Sequence, residues 1–437
     1  MASNLAYDID HDLGRDEAQP HGLDARPVPR ITIQAFCDTP EVAGAIEMAS
    51  NDRRMARAHV KVHTGGISAA NEFYRTAPTP NLVVVESRFP ADRLIEELDT
   101  LAEVCDAGTK VMVIGHSNDV TLYRELLKRG VSEYLVAPVD VMTVIASVSG
   151  IYRDTSTDKL GQSYAFVGSK GGVGSSTIAH NVAWTMARVF GSDVILADLD
   201  LAFGTAGLDF NLDPTQGIAE AVFDRDRLDE VLLDRLLAKC EDHLSLLAAP
   251  AALDKSYDFD ETAFEPMLEI VQANVPSVVL DVPHVWTAWA KRTLISADEV
   301  VITAVPDLAN LRNTKSLIDL LRQARPNDAP PKLILNQVGV PKRPEIKPDD
   351  FAAALQLEPI ACIPFDPLLF GTAANNGQMI AEASAKTTIS DIFSDIAQVM
   401  TGRKDVKRSR KGGMSLAPLL EKLRSKNKQK ATGRRTG

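Results

Sequence analysis

One glycine-rich run constrains this chain more than any other feature: Gly168-Ser169-Lys170-Gly171-Gly172-Val173-Gly174-Ser175-Ser176-Thr177. It follows the apolar stretch Tyr164–Val167 and leads into Ile178-Ala-His-Asn-Val-Ala-Trp184, a good helix former. Glycines in a strand-to-helix turn let successive backbone N–H groups close around phosphate oxygens, and the helix N-terminus adds the positive end of its dipole. A glycine-rich turn alone is weak evidence, because many tight turns look similar. The strand before it and the helix after it are what the phosphate reading requires, and both are present.

The rest of the chain is laid out around that loop. Residues 1–29 are polar and acidic and read as a disordered leader. Residues 30–152 alternate apolar strands (Ile31–Phe36, Leu82–Val85, Val111–Ile114, Tyr134–Val136) with helical stretches such as Ala91–Glu103 and Asp119–Arg129. Such alternation predicts a doubly wound α/β domain with a parallel sheet covered on both faces. A linker over 153–162 precedes a second and larger series over 163–402. Its strands are Tyr164–Val167, Val194–Ala197, Leu244–Leu247, Val278–Leu280, Val300–Thr303, Leu333–Leu335 and Pro359–Ile363. These fit a second doubly wound parallel-sheet domain, whose ligands belong at the carboxyl ends of its strands.

Read against the Walker pattern G-x-x-x-x-G-K-[ST], the loop is irregular: Ser169 takes the first glycine and Ser175 the lysine, while an early lysine, Lys170, is present. In this it resembles the deviant Walker motif of the MinD/ParA family of P-loop ATPases. The resemblance implies binding of ATP and Mg²⁺ at Lys170, Gly171, Gly172, Val173, Gly174, Ser175, Ser176 and Thr177. It also implies a homodimer in which Lys170 reaches the partner's phosphates. Ile195-Leu-Ala-Asp198-Leu-Asp200 resembles the family's first switch, with Asp200 orienting water, Asp198 helping to hold Mg²⁺ and Ser176 giving a hydroxyl ligand. Val278-Val-Leu-Asp281-Val-Pro283 resembles the second switch, where Asp281 reaches the metal through water. Asn336 resembles the adenine-reading asparagine, and Ile363-Pro364-Phe-Asp366 the loop over the base. Asp and Asn are also common cap and turn formers where strands end, so the order of the five sites carries more than any one of them. Replacement of the in-loop lysine by Ser175 removes a cation from the β/γ-phosphates, which predicts weaker binding and slow hydrolysis.

The first domain resembles a response-regulator receiver whose working residues are missing. Asp38 and Glu41 lie near its acidic pair, Glu86 stands where a phosphoacceptor aspartate belongs, and Ala137-Pro138 replaces Lys-Pro. Without the lysine no cation pairs with a phosphate, so the domain is expected to serve interaction or positioning rather than phosphotransfer. A receiver-like domain ahead of a deviant-Walker domain resembles the CpaE/TadZ proteins of Tad (Flp-type) pilus assembly. Leu199–Phe210 and Asp281–Trp286 look like that family too. This implies a cytoplasmic protein at the cell pole, peripheral to the inner membrane, that works with pilus secretion components.

The formal charge of −12 is an average of unlike parts. Residues 403–437 hold 13 Lys/Arg against Asp405 and Glu421, a net of +11, so the other 402 residues carry −23. An acidic body argues against a surface-wide nucleic-acid binder and leaves the tail as the one place for a polyanionic partner. In that tail Leu416, Leu419, Leu420 and Leu423 form an apolar stripe flanked by Lys422, Arg424 and Lys426, readable as a membrane-surface or partner-docking helix or as a stripe docked on its own domain. Cys37, Cys105, Cys240 and Cys362 are far apart, as in a reduced protein with buried thiols. His180 and His284 read as structural, and Trp286 and Trp289 as core at helical spacing, with a partner surface as the other reading. Two further functions stay open: a nucleotide-binding scaffold that does not hydrolyse, and a ParA-like DNA-partitioning ATPase.

Overall fold

The computed structural model describes residues 26–153, 160–223, 225–250 and 257–403. These residues form two compact units, one running to Gly161 and including Leu321–Ala329, the other comprising Gln162–Leu320 and the residues from Pro330 onward. The leader up to residue 25, the linker over 154–159 and the tail from 404 lie outside the described residues.

The front unit is a five-stranded parallel sheet. Its strands are β1 (Ile31–Cys37), β2 (Ala58–Thr64), β3 (Leu82–Glu86), β4 (Lys110–Gly115) and β5 (Glu133–Val136), in the order β2-β1-β3-β4-β5. Helices α1 (Pro40–Ser50), α2 (Gly66–Phe73), α3 (Ala91–Val104), α4 (Val120–Lys128) and α5 (Val141–Arg153) connect and cover it. Side chains alternate across a strand, so the run in β3 feeds two cores. Val84 packs with Ile33, Ile46, Met112 and Ile145, while Val83 and Val85 pack with Phe36, Ile67, Leu94 and Leu126. Strand β2 is an addition to the sequence reading. As an edge strand it has little apolar content and is mostly half-exposed, which hid it. The leader also ends earlier than expected. Val28 is fully buried in the front core, and its N–H donates to Arg54 O at 2.7 Å.

The second unit has the seven expected strands: β6 (Gln162–Gly168), β7 (Val194–Asp198), β9 (Leu244–Leu247), β10 (Ser277–Val282), β11 (Glu299–Ala304), β12 (Lys332–Val338) and β13 (Pro359–Pro364). An eighth, β8 (Ala238–Glu241), corrects the all-parallel reading, because it pairs antiparallel with β9 at one edge. Two residues separate β8 from β9, too few for the crossover that a parallel pair needs. The order is β13-β12-β11-β6-β10-β7-β9-β8. From β6 the chain moves toward β7, and from β10 it moves back to β11, so the direction of winding reverses at β6 and opens a crevice at its carboxyl end.

Helix α6 (Ser175–Phe190) runs from that crevice beneath the sheet. Every residue from Ile178 to Ala187 is buried, because the helix lies between the sheet and the helix Thr388–Met400. The latter presents Ile389, Phe393, Ile396 and Met400 at helical spacing to it. Gly191, in the left-handed region at φ 59°, ends α6. Among the described residues no helix is long and apolar enough to cross a membrane.

Candidate phosphate-binding site

The loop from Gly168 to Gly174 leaves β6 and enters α6 at the crevice. Gly174 is the residue before the helix and sits at φ 85°, where a side chain is strained. A Cβ there would also lie 2.6 Å from Asn336 Nδ2. Asn336 ends the apolar part of β12 and donates Nδ2 to Val173 O at 2.8 Å, while the neighbouring Gln337 donates Nε2 to Gly172 O at 3.1 Å. The loop is therefore braced from β12. On the other flank, Ser169 N–H donates to Thr303 O, Ser169 Oγ donates to Asn310 Oδ1 at 2.6 Å, and Asn313 Nδ2 donates to Ser169 O. His284 Nδ1 lies 2.9 Å from Gly168 O. Its carbonyls are held from β12, from the helix Leu308–Ala324 and from the turn after β10, so the loop is braced by the protein itself.

Lys170 is exposed at the mouth. Its charge acts on Asp307: burial alone would raise that carboxyl, but N–H and amide donors of Asn310 together with Lys170 hold it below the usual range. Ser175, which stands in the lysine's place, is buried at the first turn of α6, and its Oγ has no hydrogen-bond partner. Ser176 and Thr177 follow in the same turn.

The carboxylates at the strand ends behave differently from one another. Asp198, at the end of β7, is fully buried and accepts from Asp200 N–H and Ala206 N–H, both at 3.1 Å, so it closes the turn that follows. A Cβ on Gly204 would strike Asp198 Oδ2 at 2.3 Å, so this turn needs a glycine there. Asp200 is half-buried and accepts from Phe203 N–H at 3.0 Å. Asp281, in β10, is also buried. Its Oδ2 lies 3.3 Å from His180 Nε2, and its Oδ1 has no partner. Burial and then the charge of Asp281 push Asp198 up to about 7. Pro364 ends β13, and Asp366 caps the next helix, Pro367–Asn376, by accepting from Leu369 N–H at 2.9 Å.

His180, which the sequence reads as structural, lies among the carboxylates of the site. It is fully enclosed, with Nδ1 2.7 Å from Asp209 Oδ2 in addition to its contact with Asp281. Burial would lower its pKa, but hydrogen bonding and charge from Asp209 and Asp281 outweigh this and raise it to about 10. Asp209 lies 29 positions further on, and local spacing carries no signal for such a contact. The other aromatic expectations divide. Trp289 is buried against Phe264, with ring centroids 4.7 Å apart, but Trp286 is 57% exposed. It lines a cavity of about 400 Å³ with Gly168, Ser169, His284, Leu294 and Leu317. That cavity meets only the start of the loop. Of the cysteines only Cys37 is buried, whereas Cys362 is exposed.

The front unit has its own buried carboxylate. Glu86, at the end of β3, is fully buried and accepts from Asp38 N–H at 2.7 Å, Thr39 N–H at 2.8 Å and Thr39 Oγ1 at 2.8 Å. Both backbone amides go to Oε2, while Oε1, which accepts from the Thr39 hydroxyl, also lies 3.0 Å from His116 Nε2. Burial and the charge of Glu86 raise the pKa of Asp38.

Sheet order, a glycine-rich loop leaving the strand where winding reverses, and a buried carboxylate ending the neighbouring strand define a P-loop α/β protein of MinD/ParA architecture. Known proteins agree with this. The AAA domain family matches residues 161–331. A ParA family ATPase from Chlorobium tepidum TLS shares this fold at 24% identity over 54% of this chain and 98% of its own, with a TM-score of 0.50. The septum site-determining protein MinD of Synechocystis sp. is 26% identical over 242 residues, 54% of this chain and 87% of that protein. The N-terminal region matches the pilus assembly protein CpaE from Caulobacter crescentus CB15 at 54% identity, covering 29% of this chain and 97% of that structure, with a TM-score of 0.29. At that identity over nearly all of the matched structure, the N-terminal region belongs to the CpaE family.

Proposed function

We propose that this protein is a nucleotide-switched localisation and assembly ATPase for the Tad (Flp-type) pilus secretion machinery, dimerising on ATP–Mg²⁺ in the cytoplasm and sited at the pole against the inner membrane. The observation that carries the nucleotide part is the phosphate loop itself, braced from β11 and β12 and capped by Gly174, with Lys170 exposed at its mouth. In this reading the amides from Gly171 to Thr177 hold phosphate oxygens. Ser176 and Asp198 would hold Mg²⁺, with Asp200 beside them and Asp281 reaching it through water. The unpartnered Asp281 Oδ1 fits a cation there, and Mg²⁺ needs few protein ligands because it keeps several waters. Bound Mg²⁺ would neutralise charge on the phosphates. Asp200 orients water, Lys170 reaches the partner's phosphates, and Asn336, Pro364 and Asp366 flank the base. The pilus part rests on kinship with CpaE.

Titration with ATP and Mg²⁺, followed by size exclusion with light scattering, tests the switch. Wild type is expected to shift from monomer to dimer, and Lys170→Ala to bind without shifting. A wild type whose mass is the same with and without ATP would sink the switch. One observation favours a second reading, a scaffold that binds nucleotide without hydrolysing it: buried Ser175 brings no charge where the ordinary loop has lysine. Phosphate release measured in the same titration separates the two.

A further inference from the structure

Helix α6 is tied to the segment after β7 by one buried side chain. His180 sits in the second turn after the phosphate loop, and Nδ1 contacts Asp209, the last residue of α7 (Ala206–Asp209). On its other side Nε2 faces Asp281, whose own carbonyl accepts from Leu199 N–H at 3.0 Å. Segment 199–209 is thus held at its start by the backbone of β10, at Ala206 by Asp198 and at its end by His180. Between these points it displays Phe203 at 73% and Leu208 at 71% exposure, a costly arrangement for two large apolar side chains unless something reads them. Helix α6, which begins at the phosphate loop, is therefore joined to this display through one imidazole, by a hydrogen bond to Asp209 and a 3.3 Å charge contact with Asp281.

We infer that His180 is a positioning residue that sets α7 against the phosphate loop, so that occupancy of the loop is carried through Asp281 and His180 to Asp209 and the apolar residues beside it. The inference rests on the nucleotide reading above. Packed interiors pass a shift from one element to another because they deform little within themselves. Asp209 is the point to cut, because it is partly exposed and its removal leaves the core filled.

The test is amide hydrogen exchange over 199–212 in wild type, Asp209→Ala, His180→Gln and His180→Leu, with and without ATP–Mg²⁺, alongside affinity for a fluorescent ATP analogue. Wild type is expected to change exchange in that segment by fivefold or more on binding. Asp209→Ala should keep affinity within about twofold of wild type and lose that change. His180→Gln, which keeps a donor toward one carboxylate, should retain part of the response, and His180→Leu none. An Asp209→Ala protein whose segment still responds like wild type overturns the inference, as does a wild type that binds nucleotide with no response at 199–212. Failure of wild type to bind nucleotide would instead remove the reading beneath it.

Discussion

Of the titratable groups held out of water near the phosphate loop, two keep protons longer than they would in an unfolded chain. His180 is raised from 6.5 to about 10, where Asp209 and Asp281 outweigh its burial, and Asp198 is raised to about 7 by burial and by Asp281. For a raised histidine, the stabilisation is complete below the unfolded value and is lost as pH climbs through the folded one. For a raised carboxyl, ionisation on the way up costs stability. In both cases the native state binds more protons, so the slopes share a sign. The nucleotide-free second unit is therefore expected to lose stability as pH rises from 6.5 toward 10, at about 1.4 kcal/mol for each pKa unit separating the folded and unfolded states. Urea midpoints at stepped pH measure this. His180→Asn should flatten the profile, and a wild-type midpoint that rises over that range would contradict the assignment.

At the scale of elements, the turn into α6 depends on Gly174. Alanine there must adopt φ 85° and place its Cβ against Asn336, a cost of about 1–2 kcal/mol for the left-handed backbone alone. Gly174→Ala is expected to weaken nucleotide binding at least tenfold in calorimetry; affinity equal to wild type would show that the brace from Asn336 is dispensable. This turn was readable in the sequence because its glycines, the strand before it and the helix after it are contiguous. The inner strands of both units were readable for a related reason, since each is a short apolar run such as Leu82–Val85 or Val300–Thr303. Strands β2 and β8 lie at edges, where polar residues such as His59, Lys61 and Lys239 interrupt the few apolar ones, Val60 and Val62 in β2 and Ala238 and Cys240 in β8, so no apolar run announced them. The tie from His180 to Asp209 and Asp281 joins three elements through the fold. Charge and spacing along the chain do not encode it. Trp286 misled for the opposite reason: its spacing from Trp289 suggested one core face, yet it precedes the helix Ala288–Ser296 and points outward.

Across the whole molecule, the acidic body and the basic tail divide the charge, −23 against +11. Basic residues near an anionic membrane contribute about 1 kcal/mol each. Removal of residues 403–437 is expected to weaken binding to vesicles containing anionic lipid at least tenfold at low salt, measured by sedimentation. Full retention would reject a membrane role for the tail. Glu86 matters at this scale as well. Two backbone amides, a threonine hydroxyl and His116 already converge on its carboxylate. The space at the end of β3 is thus closed by contacts that the chain makes with itself. Anything arriving at the end of β3 would have to break that network before it could settle, so the front unit resists entry there by being already full.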